Sequence, residues 1–139
     1  MIFTSTNSDE TKNFGKKLAS KLKPGSVVSL RGSLGAGKTV IAKGIAEYLQ
    51  ISEAIVSPTF TILQEYEGTL PLYHMDLYRI SGSDEFEMMG GEEMLYGEGI
   101  TLIEWSEKID EMLPENTIYI DLKILDNQDR EINVVGLEK

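Results

Sequence analysis

The stretch Gly32-Ser33-Leu34-Gly35-Ala36-Gly37-Lys38-Thr39 fits the pattern G-x-x-x-x-G-K-[ST]. Its glycines let backbone N–H groups turn inward without a Cβ in the way, so several donors can reach one polyphosphate. Lys38 can reach the β- and γ-phosphates, and the Thr39 hydroxyl can bind Mg²⁺. The pattern therefore predicts a phosphate-binding P-loop, with the positive end of a helix directed at the same anion.

The residues on both sides of this stretch supply the context that a P-loop requires. Ser26-Val27-Val28-Ser29-Leu30, which follows Pro24-Gly25, is typical of a buried strand. After the loop, Ile41, Ile45 and Leu49 recur with the spacing of one helical face. Strand, loop and helix follow in the expected order, which disfavours the alternative of a glycine-rich turn with an exposed lysine.

The rest of the hydrophobic pattern divides into short elements separated by turn residues. It predicts helices over 8–22, 83–96 and 106–112, and strands over 59–66, 70–78, 100–103, 117–125 and 131–137. The pair Gly90-Gly91 predicts a break inside the second of these helices. The first two strands and the last two are each expected to form a hairpin.

Strands that alternate with helices around a P-loop favour an α/β fold. We expect a single P-loop NTPase-like domain over residues 1–139, with a mixed, mostly parallel central sheet, helices on both faces and antiparallel hairpin portions. A nucleotide should then lie outside the carboxyl ends of the central strands.

The composition is that of an ordinary globular protein, with 41% hydrophobic and 26% charged residues. There is no cysteine, which excludes a disulfide framework, a thiolate metal site and a cysteine nucleophile. The first ten residues lack a basic and apolar leader, and no run approaches the roughly 20 apolar residues of a membrane span. A cytoplasmic location without membrane contact is the expectation.

The net charge of −10 is concentrated in one window. Between Asp84 and Glu115 lie eleven acidic residues and one base, Lys108, so the rest of the chain is neutral. Such a chain is not expected to grip a nucleic-acid backbone, which requires a basic surface. The window is either a solvated helical face or a contact surface for a basic protein partner.

A P-loop enzyme also needs a carboxylate near Mg²⁺ and a group that orients the attacking water. Glu104 follows a short apolar strand, the usual place of such an acid, and Asp76, which ends another strand, is the second candidate. Each could instead be a surface carboxylate at a strand end. Trp105, the only tryptophan, could border the nucleotide or lie in the core or an interface. His74, the only histidine, is interpreted as structural.

Four segments together resemble the TsaE (YjeE) family, the small bacterial ATPase of the tRNA threonylcarbamoyladenosine pathway. They are, in order, Gly32 to Thr39, Ser57-Pro58-Thr59-Phe60-Thr61-Ile62, Tyr73-His74-Met75-Asp76-Leu77-Tyr78-Arg79 and Ile103-Glu104-Trp105. The resemblance extends from about Thr11 to Arg130. Many families share the P-loop, but its combination with the other segments is specific.

The resemblance implies a set of site residues and a role. The phosphates of ATP would be held by Leu34, Gly35, Ala36, Gly37, Lys38 and Thr39. Mg²⁺ would be bound by Thr39 and Glu104, and the catalytic residues would be Lys38, Asp76 and Glu104. Trp105 would lie beside the nucleotide, and Thr6 and Arg130 would flank the base. The implied role is to hydrolyse ATP while attached to the TsaD–TsaB pair, which transfers threonylcarbamoyl to adenosine 37 of tRNA, so that tRNA is met only through these partners.

Two other functions stay open. A small-molecule kinase would typically bring several arginines, and the chain has only three, with no lid-sized insertion. A nucleotide-binding switch with negligible turnover is disfavoured by Asp76 and Glu104. The chain departs from the usual family pattern at Ser33, Val40 and Ser106, none of which is required for hydrolysis.

Overall fold

The computed structural model describes residues 1–32, 36–55 and 63–137. The helices in these ranges are α1 (Ser8–Ala19), α2 (Lys38–Tyr48), α3 (Ser83–Met88) and α4 (Gly91–Leu95), with a 3₁₀ helix over Ser106–Met112. The strands are β1 (Ile2–Ser5), β2 (Val27–Gly32), β3 (Leu63–Tyr66), β4 (Leu72–Asp76), β5 (Ile100–Glu104), β6 (Ile118–Ile124) and β7 (Arg130–Val135). None of the described helices is long and apolar enough to cross a membrane.

The strands form one mixed sheet with the order β1-β7-β6-β2-β5-β4-β3. The P-loop strand β2 lies at its centre and pairs in parallel with both β5 and β6, and β4 is parallel to β5. The outer pairs β3–β4, β6–β7 and β1–β7 are antiparallel. This confirms the predicted α/β fold, with a largely parallel core and two antiparallel hairpins.

Helices cover both faces of the sheet because side chains alternate along the central strands. Val28 and Leu30 of β2 belong to the apolar cluster that also contains the buried residues of α1 and α2. Val27, the neighbour on the same strand, joins the second cluster, which contains Phe86 of α3 and Leu95 of α4. The predicted arrangement of helices on both faces is therefore confirmed.

Two helices differ from the sequence predictions in extent or type, and the predicted break at Gly90 is present. α1 ends at Ala19 rather than near Leu22, which follows a turn at Ser20 and Lys21 but still packs against the core. The break at Gly90 is present, and this residue has a φ of 79°, a conformation that favours glycine. The helix expected over 106–112 is a 3₁₀ helix with a kink at Ile109. Residues 59–62 of the strand predicted over 59–66 lie outside the described ranges.

Strand β1 is not among the strands predicted from the sequence. β1 pairs with β7, so that Ile2 lies opposite Asn133 and Ser5 lies opposite Arg130. Only Ser5 of its four residues is buried. A short, exposed strand whose partner is distant in sequence leaves no periodicity to detect, because only the tertiary pairing stabilises it.

α1 and α2 cross at two glycines that allow their backbones to come close together. A Cβ on Gly15 would lie 2.5 Å from the carbonyl oxygen of Ile41, and a Cβ on Gly44 would overlap the carbonyl oxygen of Lys12. Both positions have ordinary helical backbones, so space rather than conformation requires glycine there. The close approach fixes the position of α2, whose first residue is Lys38.

We predict that Gly44→Ala lowers the free energy of unfolding by about 1–3 kcal/mol, because the added methyl group forces two packed helices apart. In an open helix the same change would stabilise the protein by about 1 kcal/mol. Urea unfolding would measure the difference. The matched control is Lys43→Ala, an exposed neighbour expected to change stability by less than about 0.5 kcal/mol. A Gly44→Ala protein as stable as the parent would contradict the close crossing.

Candidate nucleotide-binding site

The carboxyl ends of three parallel strands bring the candidate carboxylates to one edge of the sheet. Asp76 at the end of β4 lies opposite Glu104 at the end of β5. Glu104 in turn lies opposite Leu30 of β2, the strand that leads into the P-loop. Because α2 begins at Lys38, the lysine reaches the same edge. Three residues that are far apart in sequence therefore meet where an α/β sheet binds its ligands.

Glu104 is almost fully buried, and among the residues that the structure describes each of its carboxylate oxygens has one partner. Lys38 Nζ lies 3.5 Å from Oε1, and His74 Nε2 lies 2.9 Å from Oε2. Burial alone would raise the pKa of Glu104, but the hydrogen bonds and charges of His74 and Lys38 outweigh burial and lower the pKa below its usual 4.5. Glu104 is therefore ionised at neutral pH and is suited to a hard cation.

His74 was interpreted as structural from the sequence, but in the structure it contacts the candidate carboxylate Glu104. It is completely buried and donates to Glu104. A signal for it was present, because His74 and Asp76 are two residues apart on one strand and so point to the same face of the sheet. Its contact with Glu104 spans 30 residues of sequence and could not be seen without the sheet register.

Asp76 is half-buried and held by the backbone that follows it. Its Oδ1 accepts a hydrogen bond from the Tyr78 N–H at 3.0 Å, and the Leu77 N–H donates to the carbonyl oxygen of Glu104 at 3.0 Å. These bonds tie the ends of β4 and β5 together. The Asp76 carboxylate is thereby fixed at the edge of the sheet beside Glu104.

Trp105 lies at the surface next to this edge and not in the core. Its side chain is 41% exposed, and its ring packs against that of Tyr78 with 4.9 Å between the ring centres. The backbone of Trp105 has a φ of 61°, which is uncommon for a residue with a side chain. This conformation turns the chain sharply after β5 and leaves the indole beside the candidate site.

A buried hydroxyl pair anchors the chain directly after Trp105. The Oγ atoms of Ser29 and Ser106 are 2.6 Å apart, and Arg31 Nε donates to Ser29 at 3.1 Å. Arg31 also pairs with Asp110 of the 3₁₀ helix at 3.2 Å. Ser106, one of the departures from the family pattern, thus connects the end of β5 to the P-loop strand.

The described part of the P-loop shows why glycine and lysine occur there. Gly37 has a φ of 112°, a left-handed conformation that favours glycine, and α2 begins at the next residue. Thr39 follows in the first turn of α2 and is half-buried. Leu34 and Gly35, the other predicted loop residues, lie outside the described ranges, as does Ser57-Pro58-Thr59.

Arg130 and Thr6, the predicted neighbours of the base, lie on the other side of the loop. Arg130 Nε donates to the carbonyl oxygen of Ala36 at 3.1 Å, so Arg130 supports the phosphate loop. The amide and hydroxyl of Thr6 donate to Glu10 at 2.7 and 2.9 Å and cap the start of α1. Beside them is a cavity of about 170 Å³, lined by the loop and by both neighbours of Thr6. The residues that line it are Ser5, Asn7, Ser8, Thr11, Ala36, Gly37, Val40, Gln128 and Arg130.

This set of donors fits a triphosphate carried with a divalent cation. An amine, a hydroxyl and an ionised carboxylate, from Lys38, Thr39 and Glu104, stand around the start of one helix whose dipole favours anions. Mg²⁺ usually takes one or two protein oxygens and completes its shell with phosphate and water. The arrangement can therefore bind phosphate and stabilise the charge that develops when a phosphoryl group is transferred.

Comparisons with known proteins agree with this geometry. The family model described as "Threonylcarbamoyl adenosine biosynthesis protein TsaE" matches residues 5–132. The chain is 45% identical over 134 residues to the tRNA threonylcarbamoyladenosine biosynthesis protein TsaE of Treponema pallidum, covering 96% of this chain and 99% of that protein. The protein of the same description in Bacillus subtilis is 47% identical over 132 residues, covering 94% and 82%.

The fold agrees as well. The crystal structure of Bacillus subtilis YdiB superposes with a TM-score of 0.84 at 40% identity, over 99% of this chain and 86% of that one. The chain therefore belongs to the TsaE family of proteins that take part in the biosynthesis of threonylcarbamoyladenosine in tRNA.

Proposed function

We propose that this protein is a single-domain, Mg²⁺-dependent ATPase that hydrolyses ATP to support the TsaD–TsaB transferase. The observation that carries the proposal is the meeting of Lys38 and the ionised, buried Glu104 at the start of α2. A buried carboxylate beside a P-loop lysine is expensive unless it is paired, and a metal–phosphate ligand would use both groups.

The proposed reaction is in-line attack of water on the γ-phosphorus of ATP. Lys38 donates to the phosphate oxygens, Thr39 and Glu104 hold the ion, and Asp76 orients the water. When bound, Mg²⁺ supplies positive charge that stabilises the leaving and transferring oxygens. Lys38 Nζ lies 3.5 Å from Oε1 of Glu104, and a bound phosphate would offer the amine a second anionic acceptor.

The proposed turnover is slow in the isolated chain. The sequence contains three arginines, and two of them are engaged elsewhere: Arg31 with Ser29 and Asp110, and Arg130 with Ala36. An arginine that reaches the transferring phosphoryl group typically accelerates hydrolysis by about 10³–10⁵-fold. We therefore also propose that a partner protein regulates the rate of ATP hydrolysis by completing the site.

We predict that Lys38→Ala lowers ATP hydrolysis by at least about 100-fold, the loss typical of removing one preorganised donor. The same variant should lose measurable ATP binding. Among the described residues, Lys38 is the lysine at the start of α2, where the phosphates would bind. Calorimetric titration and steady-state phosphate release would measure both. The matched control is Lys43→Ala on the exposed side of the same helix, which should bind and hydrolyse ATP normally. Normal ATP binding by a folded Lys38→Ala protein would disprove the phosphate assignment.

We further predict that phosphate release by the purified chain is far below the tens per second of partner-stimulated GTPases. Addition of the purified TsaD–TsaB pair should change that rate. Phosphoryl transfer to a metabolite instead of water would favour a kinase. Release that does not exceed background with or without the pair would favour a nucleotide-dependent switch.

The acidic window is proposed as the surface that meets the protein partner. Ten of its eleven acids are exposed, and the buried exception is Glu104. They are carried by α3, α4, the 3₁₀ helix and the adjoining loops, which cover the face of the sheet opposite to α1 and α2. Negative charge is thus concentrated on one face, where it can steer a basic partner without blocking the P-loop.

We predict that the triple variant Glu87→Lys, Glu92→Lys and Glu93→Lys weakens association with TsaD–TsaB and leaves ATP affinity unchanged. Its matched control reverses three exposed acids outside the window, Glu53→Lys, Glu67→Lys and Asp126→Lys, and should retain association. The rates of association with immobilised TsaD–TsaB, measured at two salt concentrations, would separate an effect of charge from a change in the folded shape of the variant. If both triples bind the partners equally, the acidic window is only a solvated face.

A further inference from the structure

We propose that His74 is a positioning residue, which holds Glu104 towards the metal when Lys38 turns from the carboxylate to the phosphates of ATP. This inference rests on the proposed ATPase function and adds a residue to it.

The two partners of Glu104 divide its oxygens between them. Lys38 contacts Oε1 and His74 contacts Oε2, so neither competes with the other. An ionised carboxylate can only accept hydrogen bonds, and His74 Nε2 therefore carries the proton in this contact. If Lys38 moves to phosphate, Oε1 becomes available to a cation while Oε2 stays held.

The two partners also differ in their freedom to move. His74 lies within β4, which is paired on both sides: Gln64 of β3 is opposite it in one direction and Leu102 of β5 in the other. Its side chain is completely buried. Lys38 has a long stem and starts a helix at the edge of the sheet. The lysine can therefore reorient without disturbing the fold, and the imidazole stays in place.

The hydrogen bonding of the imidazole concentrates on Glu104. His74 Nδ1 is buried and has no hydrogen-bond partner in the part of the chain that the structure describes. In the same described part of the chain, the bond to Glu104 is the hydrogen bond that the imidazole makes. A residue serving only to fill the core would avoid a buried, unpaired nitrogen by being apolar. The polar ring is explained by its bond to the carboxylate.

Loss of this bond should act on the metal more than on the phosphates. Groups that orient a metal ligand from behind typically change metal affinity by about 10–100-fold when they are removed. Without His74, Lys38 is the one remaining partner of Glu104 among the described residues, and the carboxylate and the phosphates then compete for its amine. The contribution of Mg²⁺ to nucleotide binding should fall.

The test measures the affinity of a non-hydrolysable ATP analogue in excess Mg²⁺ and in EDTA, by calorimetry and by the fluorescence of Trp105, the only tryptophan, beside Glu104. The readout is the dissociation constant in EDTA divided by the dissociation constant in Mg²⁺, which measures how much Mg²⁺ strengthens binding. We expect His74→Leu, which has no donor, and His74→Asn, whose shorter amide does not reach Oε2, to lower this ratio by about 10-fold or more. His74→Gln, which places an N–H near the position of Nε2, should restore it.

The matched control is Leu72→Val, a buried change on the same strand and face two residues earlier, which should leave the ratio unaltered. His74→Asn carries the test if His74→Leu does not fold. An unchanged ratio in either folded variant would overturn the inference. That outcome includes an affinity that falls equally in Mg²⁺ and in EDTA. Failure of the parent chain to bind the analogue in either arm would instead overturn the proposed ATPase function, and the inference with it.

Discussion

The buried negative charge of Glu104 is the constraint on which the rest of the site depends. A carboxylate in the interior is tolerated only if opposite charges or donors reach it, and here they come from two different elements, α2 and β4. That requirement fixes where α2 begins relative to the sheet and which face His74 occupies. The order of the parallel strands satisfies it, because β4 and β5 end side by side next to the P-loop strand.

The distribution of charge and packing keeps this site separate from the rest of the surface. The acids that give the chain its net charge of −10 lie mostly on the helices opposite to α2. At physiological salt the solvent screens charges that are more than about 8 Å apart, which limits the repulsion between exposed acids and an anion. On the other face, the glycine crossing of α1 and α2 holds the lysine-bearing helix against the sheet.

The sequence was sufficient to predict the fold class, and to place Lys38, Asp76 and Glu104 at one edge, because hydrophobic periodicity and the rule for parallel strands are local or general. Strand β1 could not be predicted, since its stability depends entirely on a partner about 130 residues away. The choice between core and surface for Trp105 required the tertiary fold. The bond between His74 and Glu104 likewise depends on strand register, although the spacing of His74 from Asp76 indicated a shared face.

The pairing of β1 with β7 has a consequence for how the chain is made. β7 begins with Arg130, whose guanidinium holds the carbonyl oxygen of Ala36 in the phosphate loop. During synthesis, residues 2–5 of β1 are made about 130 residues before their partner strand β7, which ends at Val135. Contacts between such distant segments form late because a long loop must close. A nascent chain therefore carries the whole P-loop sequence before Arg130 is made, and the carbonyl oxygen of Ala36 gains its arginine partner only when β7 has formed.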